Sequence, residues 1–545
     1  MPKGHLLYFF LIPGCCFLCP TISKAQSKGS RDISYITSGG KLNPLQAIMD
    51  IRHYTISLDV NIQSKSIDGY AEVELILNQN TDTILFDLVH LLTVHKIKVD
   101  GKDCLFEQRN DKIFIINKNF FSKGKHKVWI GYGGEPPVAI RPPWSGGFTW
   151  TKDSAGNPWV AINCQLEGAK LYFPCKDHPS DEPNEGVDLI ITVPKGLVVA
   201  GPGLLKEVRK GEEKVSYHWK TQYTISNYCV VFNIGKYVVV KRNYTTIHGN
   251  TVPMEYYVLQ VDSAQAKRVL DVKTRDTHIL EKYFGEYPWV KEKIGLAEVP
   301  NPGMEHQTMV TFQNKFDYEI IGGQDYSANL FHEFGHEWWA NKVTNKDWAH
   351  MWIQEGIDTY AEALCMQEIG GPEEYTKIID QQKRRISNKV PIVQADEGIT
   401  EGQTYSRDIY FKGSFFMHSL RYLIGDSLFF PTLKKLATDP ATTYDNFVTT
   451  NDVEKLFSQE SKIDLKPFFD FYLRTTQVLE FEITEENYQS YKVKIKNFFM
   501  PIPVEISTPE GTRRISIGKE GALIKSSLPP RIDEKGYYLK KITYL

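Results

Sequence analysis

Between residues 50 and 240 the chain runs in short segments that alternate apolar and polar residues or are rich in β-branched types. "YTISLDVNI", "SIDGYAEVELIL", "KIFIIN", "HKVWIGYGG" and "GVDLIITVP" are examples, with Gly, Asn and Asp between them. A period of two over five to nine residues is a strand signal, so residues 45–245 are expected to form an antiparallel β domain. From Ser263 the spacing becomes three and four. "SAQAKRVLDVKTRDTHILEKYFG" reads as a helix capped by Ser263 and stopped by Gly285. Further helical patterns begin near Asp325, Ile353, Pro372, Asp408, Ser427 and Asp464, giving a mostly helical domain over 246–476. Strands return in "LEFEITEE", "SYKVKIKN" and "IPVEIST", with "PEG" as a turn, so a small β-sandwich is expected over 477–545. The fold class is multidomain α+β, with no internal repeat or low-complexity linker.

The first 25 residues break this pattern. Lys3 precedes an apolar run that reaches Ser23-Lys24-Ala25 before Gln26, the arrangement of a secretory signal cut after Ala25. Pro13 and Pro20 interrupt the run, which is short for a membrane span. Lipidation at Cys15 in "LIPGCC" is the alternative anchor. The chain is therefore expected to be exported, to the periplasm or beyond. Composition adds little: Lys+Arg 64 against Asp+Glu 66 gives a net charge of -2, so no basic excess or long single-sign run points to nucleic acid, and no nucleic-acid partner is expected. No other segment approaches a transmembrane helix. Beyond the leader lie Cys104, Cys164, Cys175, Cys229 and Cys365, none in a CxxC pair. The Cys164–Cys175 spacing leaves room for one bridge or for two buried thiols. Oligomeric state is not readable.

Candidate chemistry sits at residues 332–336, "HEFGH". On a helix, i and i+4 share a face, so His332 and His336 can hold one ion, with Glu333 beside them to reach a water. Two imidazoles and a carboxylate suit zinc. The candidate third ligand is Glu355 in "WIQEGIDTY", with eighteen residues between it and His336. That is room to end one helix, turn through "TNKDWAH" and enter another.

With this spacing the chain resembles the M1 family of zinc aminopeptidases (gluzincins), whose pattern is HExxH, eighteen residues, then Glu. "PGMEH" at 302–306 is similar to the family's G-x-M-E-N exopeptidase motif. "QLEGAKLYFPCKDHPSDEP" from Gln165 resembles its amino-terminal domain motif, and "IYFKGSFFMHSL" from Ile409 the segment with its catalytic tyrosine. The resemblance implies a three-domain form with a thermolysin-like catalytic domain and one Zn²⁺ per chain. The implied activity is removal of the first residue of peptides with a free N-terminus.

It further implies that Glu333 is the general base and that Tyr410 donates to the oxyanion. Glu305, Glu167 and Gln165 would hold the substrate ammonium, and the edge carrying Gly303 and Met304 would pair with the peptide backbone. Tyr405 is a weaker lining candidate. Two departures stand out: His306 replaces the family's Asn and Pro302 its common Gly, removing one N–H. His306 either adds a pH-dependent charge or is a plain hydrogen-bonded histidine. Asp358 and Glu362 follow Glu355 at helical spacing and either orient the histidines or face solvent. Trp338, Trp339 and Trp352 are expected to pack the helices, and "RPPWSGGFTW" (141–150) to be a loop. Two competing readings are a catalytically silent peptide binder and an epoxide hydrolase. The epoxide-hydrolysing branch of the family carries an acidic residue where Gly402 stands here.

Overall fold

The strand and helix patterns are realised in a computed structural model that describes residues 33–313 and 316–545. The proposed leader and Cys15 lie outside the described residues. Ile36–Leu545 form one body.

Strand Met49–Asn61 shows why the alternation is reliable. Met49, Ile51, Tyr54, Ile56, Leu58 and Val60 are buried while the residues between them reach the surface. It pairs antiparallel with Ser66–Leu77 and is a central strand of an eight-stranded sheet. Its other neighbour, Val187–Pro194, runs parallel to it, from Tyr54 opposite Val187 to Asp59 opposite Thr192. The expected all-antiparallel sheet is thus mixed, because alternation specifies a buried face but not which distant strand will pair, or in which direction. A three-stranded and a four-stranded sheet complete the amino-terminal region.

Strand Tyr237–Thr245, grouped by sequence with that region, forms a hairpin with Thr251–Leu259. Both belong to a five-stranded sheet that continues through Ile294–Glu298 and Val310–Phe312 to the edge strand Gly303–Met304. This sheet supports one wall of the site. Helix Ala266–Phe284 follows it. Ser263 does not cap this helix; it lies in a 3₁₀ turn, Gln260–Gln265, and its hydroxyl donates to the Gln260 carbonyl. The stop at Gly285 is as expected, with φ 86° there.

Helices Ala328–Gly335, Trp352–Gly370, Pro372–Arg385, Arg407–Ile424, Asp426–Thr438 and Lys466–Leu473 match the remaining sequence patterns within a few residues. Asp325 itself lies in the short strand Gln324–Tyr326. Helix Thr450–Ser461 went unread although its capping box, Thr449 with Asp452, is in the sequence. Trp338, Trp339 and Trp352 are fully buried and pack the helices as expected. Trp338 Nε1 donates to the Gly285 carbonyl and Trp352 Nε1 to Thr450 Oγ1. The carboxy-terminal region holds a four-stranded and a three-stranded sheet. Among the described residues no helix is long and apolar enough to cross a membrane. Cys164 and Cys175 are both buried free thiols, so the bridge is not formed.

Candidate metal centre

Ser327 Oγ accepts from the Leu330 N–H and starts the short helix Ala328–Gly335, and His336 closes it. One turn separates His332 from His336, so both rings leave the same face. Their Nε2 atoms lie 3.2 Å apart. Glu355, in the first turn of helix Trp352–Gly370, brings Oε2 to 3.5 Å from His332 Nε2 and 3.4 Å from His336 Nε2. A tetrahedral zinc ion at about 2.0–2.1 Å from its ligands separates them by about 3.4 Å, so this triangle fits one. Glu355 Oε2 is buried and has no hydrogen-bond partner, the mark of a site built to share its lone pairs with a cation. The trio is the one metal-ligand cluster found among the described residues.

The other ring nitrogens are fixed. His336 Nδ1 donates to the Trp339 carbonyl at 2.7 Å, and His332 Nδ1 lies 2.9 Å from Glu362 Oε1 and 3.1 Å from Asp358 Oδ2. Both Nε2 lone pairs therefore face the triangle. Burial works against a charged His336, but the Asp358 and Glu355 carboxylates outweigh it and raise it to about 10. The same field favours a divalent cation. Asp358 also explains the glycine of "HEFGH": a Cβ on Gly335 would fall 1.9 Å from its Oδ1.

Around the trio opens a cavity of about 740 Å³. Glu333 lines it, with Asn329 Nδ2 donating to its Oε1 at 3.0 Å, and burial pushes its carboxyl above the ordinary range. Tyr410 comes from helix Arg407–Ile424; its hydroxyl donates to Tyr405 at 3.1 Å and its ring lies 5.9 Å from that of His332. The edge strand Gly303–Met304 and Pro302 form another wall. Gly303 has φ 119°, and a Cβ there would meet the Thr311 carbonyl at 2.2 Å, so the strand closes only with glycine. Glu305 follows, 3% exposed, its Oε1 accepting from Gln165 Nε2 at 2.7 Å and from Tyr228 at 2.9 Å.

Glu167 departs from expectation. It does not line the cavity; its Oε2 accepts from the Gly146 N–H at 2.6 Å and so anchors the 141–146 loop. That loop presents Arg141, Pro143 and Trp144 to the cavity. His306 is 1% exposed, with Nδ1 3.3 Å from Thr311 Oγ1 and a buried Nε2 that has no hydrogen-bond partner, and burial drives it down to about 3, the direction of a neutral histidine.

Sequence reading missed Asn329, Tyr228, Asn341, Glu337 and Glu401. Glu337 is fully buried and accepts from Trp289, Tyr287, the Thr308 N–H and Asn341, while Asn341 also donates to the Glu305 carbonyl. This links the metal-ligand helix to the Glu305 loop. Glu337 directly follows "HEFGH", Asn329 stands one turn before Glu333 on the same helix and Asn341 lies four residues beyond Glu337, so these three had a local signal; Tyr228 and Glu401 are brought in from remote segments. Glu401 lines the cavity, 1% exposed, with Oε2 unpartnered.

Two family models match: the peptidase M1 N-terminal domain over residues 51–229 and the peptidase family M1 domain over residues 269–472. Probable aminopeptidase 1 of Saccharolobus solfataricus is 27% identical over 324 residues, 57% of this chain and 38% of that protein. Endoplasmic reticulum aminopeptidase 1 of Homo sapiens is 24% identical over 336 residues, 58% of this chain and 35% of that protein. The matched part thus spans well under half of these relatives. Among solved structures, an M1 zinc metallopeptidase from Deinococcus radiodurans aligns with a TM-score of 0.67 at 20% identity, over 83% of this chain and 98% of that one. Legionella pneumophila aminopeptidase A aligns with a TM-score of 0.73 at 16% identity, over 91% and 60%. Both are likenesses of fold. With its two matched domains, its ordered motifs and this architecture, the chain belongs to peptidase family M1.

Proposed function

We propose that the protein is a zinc aminopeptidase that removes single residues from the free N-terminus of peptides, with one zinc ion per chain held by His332, His336 and Glu355. The observation that carries this reading is the meeting, in one cavity, of the ligand triangle, Glu333, Tyr410, the edge strand Gly303–Met304 and the Glu305 that follows it. When bound, zinc would polarise the scissile carbonyl and bring the pKa of a water near 7.

The chain's own groups supply the rest. Glu333 takes a proton from the attacking water and passes it to the leaving amine, as a carboxylate lining the cavity beside the ligand triangle can. Asn329 holds one of its oxygens and leaves the other free. Burial keeps the Tyr410 proton in place, so the hydroxyl can turn from Tyr405 to the developing oxyanion. Gln165 and Tyr228 occupy Oε1 of Glu305, leaving Oε2 for the substrate ammonium, and Gly303–Met304 offers a free strand edge for its backbone. The named relatives are aminopeptidases, which supports the same reading. The leader-like segment at residues 1–25 supports action outside the cytoplasm.

The test is a panel of aminoacyl-coumarin amides offered to protein beginning at Gln26. Release from free-amino substrates and none from their N-acetyl forms is the expected result. Folded, zinc-loaded protein that releases nothing would leave a peptide-binding role.

A further inference from the structure

Each carboxylate around the cavity has an occupation except one. Glu355 is a metal ligand, Glu333 is held by Asn329, Glu305 by Gln165 and Tyr228, and Glu167 anchors the Gly146 loop. Glu401 has none. Among the described residues no Lys, Arg or His forms an ion pair with it, and its buried Oε2 lacks any hydrogen bond. Leaving an ionisable group buried and unpaired is costly, and natural structures keep such groups where a ligand completes them.

Its position is rigid. Glu401 opens the short helix Glu401–Thr404, whose Thr400–Gln403 capping box fixes the turn. The Glu401 N–H donates to the Ser38 carbonyl at 3.1 Å, and the Ser38 N–H donates to the Leu166 carbonyl at 2.8 Å. Leu166 adjoins Gln165, whose amide is bonded to Glu305. The spare carboxylate is therefore tied through two backbone links to the segment that helps form the ammonium site. Leu166, Met304 and Tyr405 line the same cavity and provide apolar walls for an alkyl stem. Burial first, then the charges of Glu167, Glu355 and Glu305, raise the Glu401 carboxyl to about 8, and an opposite charge placed beside it would favour its ionised form. Arg141, Arg385 and Arg407 also line the cavity, but all three are exposed and none is paired with Glu401.

We propose that Glu401 is the counter-ion for the side chain of the residue being removed, so that the cavity prefers peptides beginning with lysine or arginine. This rests on the aminopeptidase reading and deepens it.

The test compares kcat/KM for arginyl, lysyl, leucyl and norleucyl coumarin amides in the wild-type protein and in Glu401→Gln. The expected result is a wild-type arginine-to-norleucine ratio of about ten or more, falling by about tenfold or more in the variant. An unchanged ratio would overturn the proposal, as would an Arg141–Glu401 pair that leaves no free carboxylate. Equal losses on all four substrates would mark Glu401 as an ammonium anchor and also overturn it. A wild-type ratio near one refutes it without the variant, should Glu401→Gln fail to fold. If no substrate is cleaved, the aminopeptidase reading fails separately. Calorimetry of L-arginine against L-norleucine on the zinc-loaded wild-type protein still decides, with equal affinities overturning the assignment.

Discussion

Helices Trp352–Gly370 and Arg407–Ile424 cross where Gly356 meets Gly413, and the crossing fixes the distance between a proposed metal ligand and the proposed oxyanion donor. Glu355 directly precedes Gly356, and Tyr410 lies one turn before Gly413. A Cβ on Gly413 would stand 2.8 Å from Gly356 Cα, and one on Gly356 would stand 2.7 Å from Gly413 Cα and 2.8 Å from the Ile409 carbonyl. Since carbon atoms rest at about 3.5–4.0 Å, one methyl must part the helices by about 1 Å. Overpacking of this kind destabilises by about 1–3 kcal/mol, while a 1 Å misplacement in an active site can lower the rate by about 10²-fold. Gly413→Ala is therefore expected to keep its fold and lose about 10²-fold in kcat. The assay is kcat on the best coumarin amide, with thermal midpoint and bound zinc measured on the same sample. Because the effect runs through Tyr410, it should shrink below about tenfold in a Tyr410→Phe background. Wild-type kcat in Gly413→Ala, or a full additional loss in the double variant, would refute the reasoning.

Tyr410→Phe alone removes one oxyanion donor and should lower kcat by about 10²–10³-fold with bound zinc unchanged, read by steady-state kinetics beside metal analysis. Glu362→Ala removes the nearer of the two carboxylates on His332 Nδ1, leaving Asp358 at 3.1 Å, and should weaken zinc about tenfold, measured by competition with a zinc chelator. His306 sits near 3 when folded and near 6.5 when unfolded. The unfolded chain therefore binds more protons between those values, and stability falls as pH drops below about 6.5, by about 2 kcal/mol at pH 5. His306→Asn should lose less stability than the wild type between pH 7 and pH 5 in urea titrations; an identical loss would contradict the burial argument.

What could be read from sequence was local. The His332–His336 face follows from helical period alone, and alternation exposed the strands because each has one buried face, as Met49–Asn61 shows. The step to Glu355, and the roles of Tyr410 and Glu305, came through motif resemblance. The start at Ser263 was misread because a 3₁₀ turn takes the hydroxyl that a cap would have used. Pairings across long sequence distances were invisible. The parallel partner of Met49–Asn61 lies more than a hundred residues away, and Tyr228 reaches Glu305 from another domain segment. Glu167 shows the limit of motif transfer: the residue is in place, yet its carboxylate is engaged by the Gly146 N–H. Glu401 carries no local signal, since its meaning lies in having no partner once folded.

The most direct measurement is zinc titration of chelator-stripped protein, following bound metal and release of amino-terminal residues together. The account predicts that activity is absent without metal and rises in step with zinc to a plateau at one ion per chain. It also predicts that Glu355→Gln shifts the curve to weaker binding. Activity that persists after complete removal of zinc, or tight zinc binding that survives loss of Glu355, would contradict it.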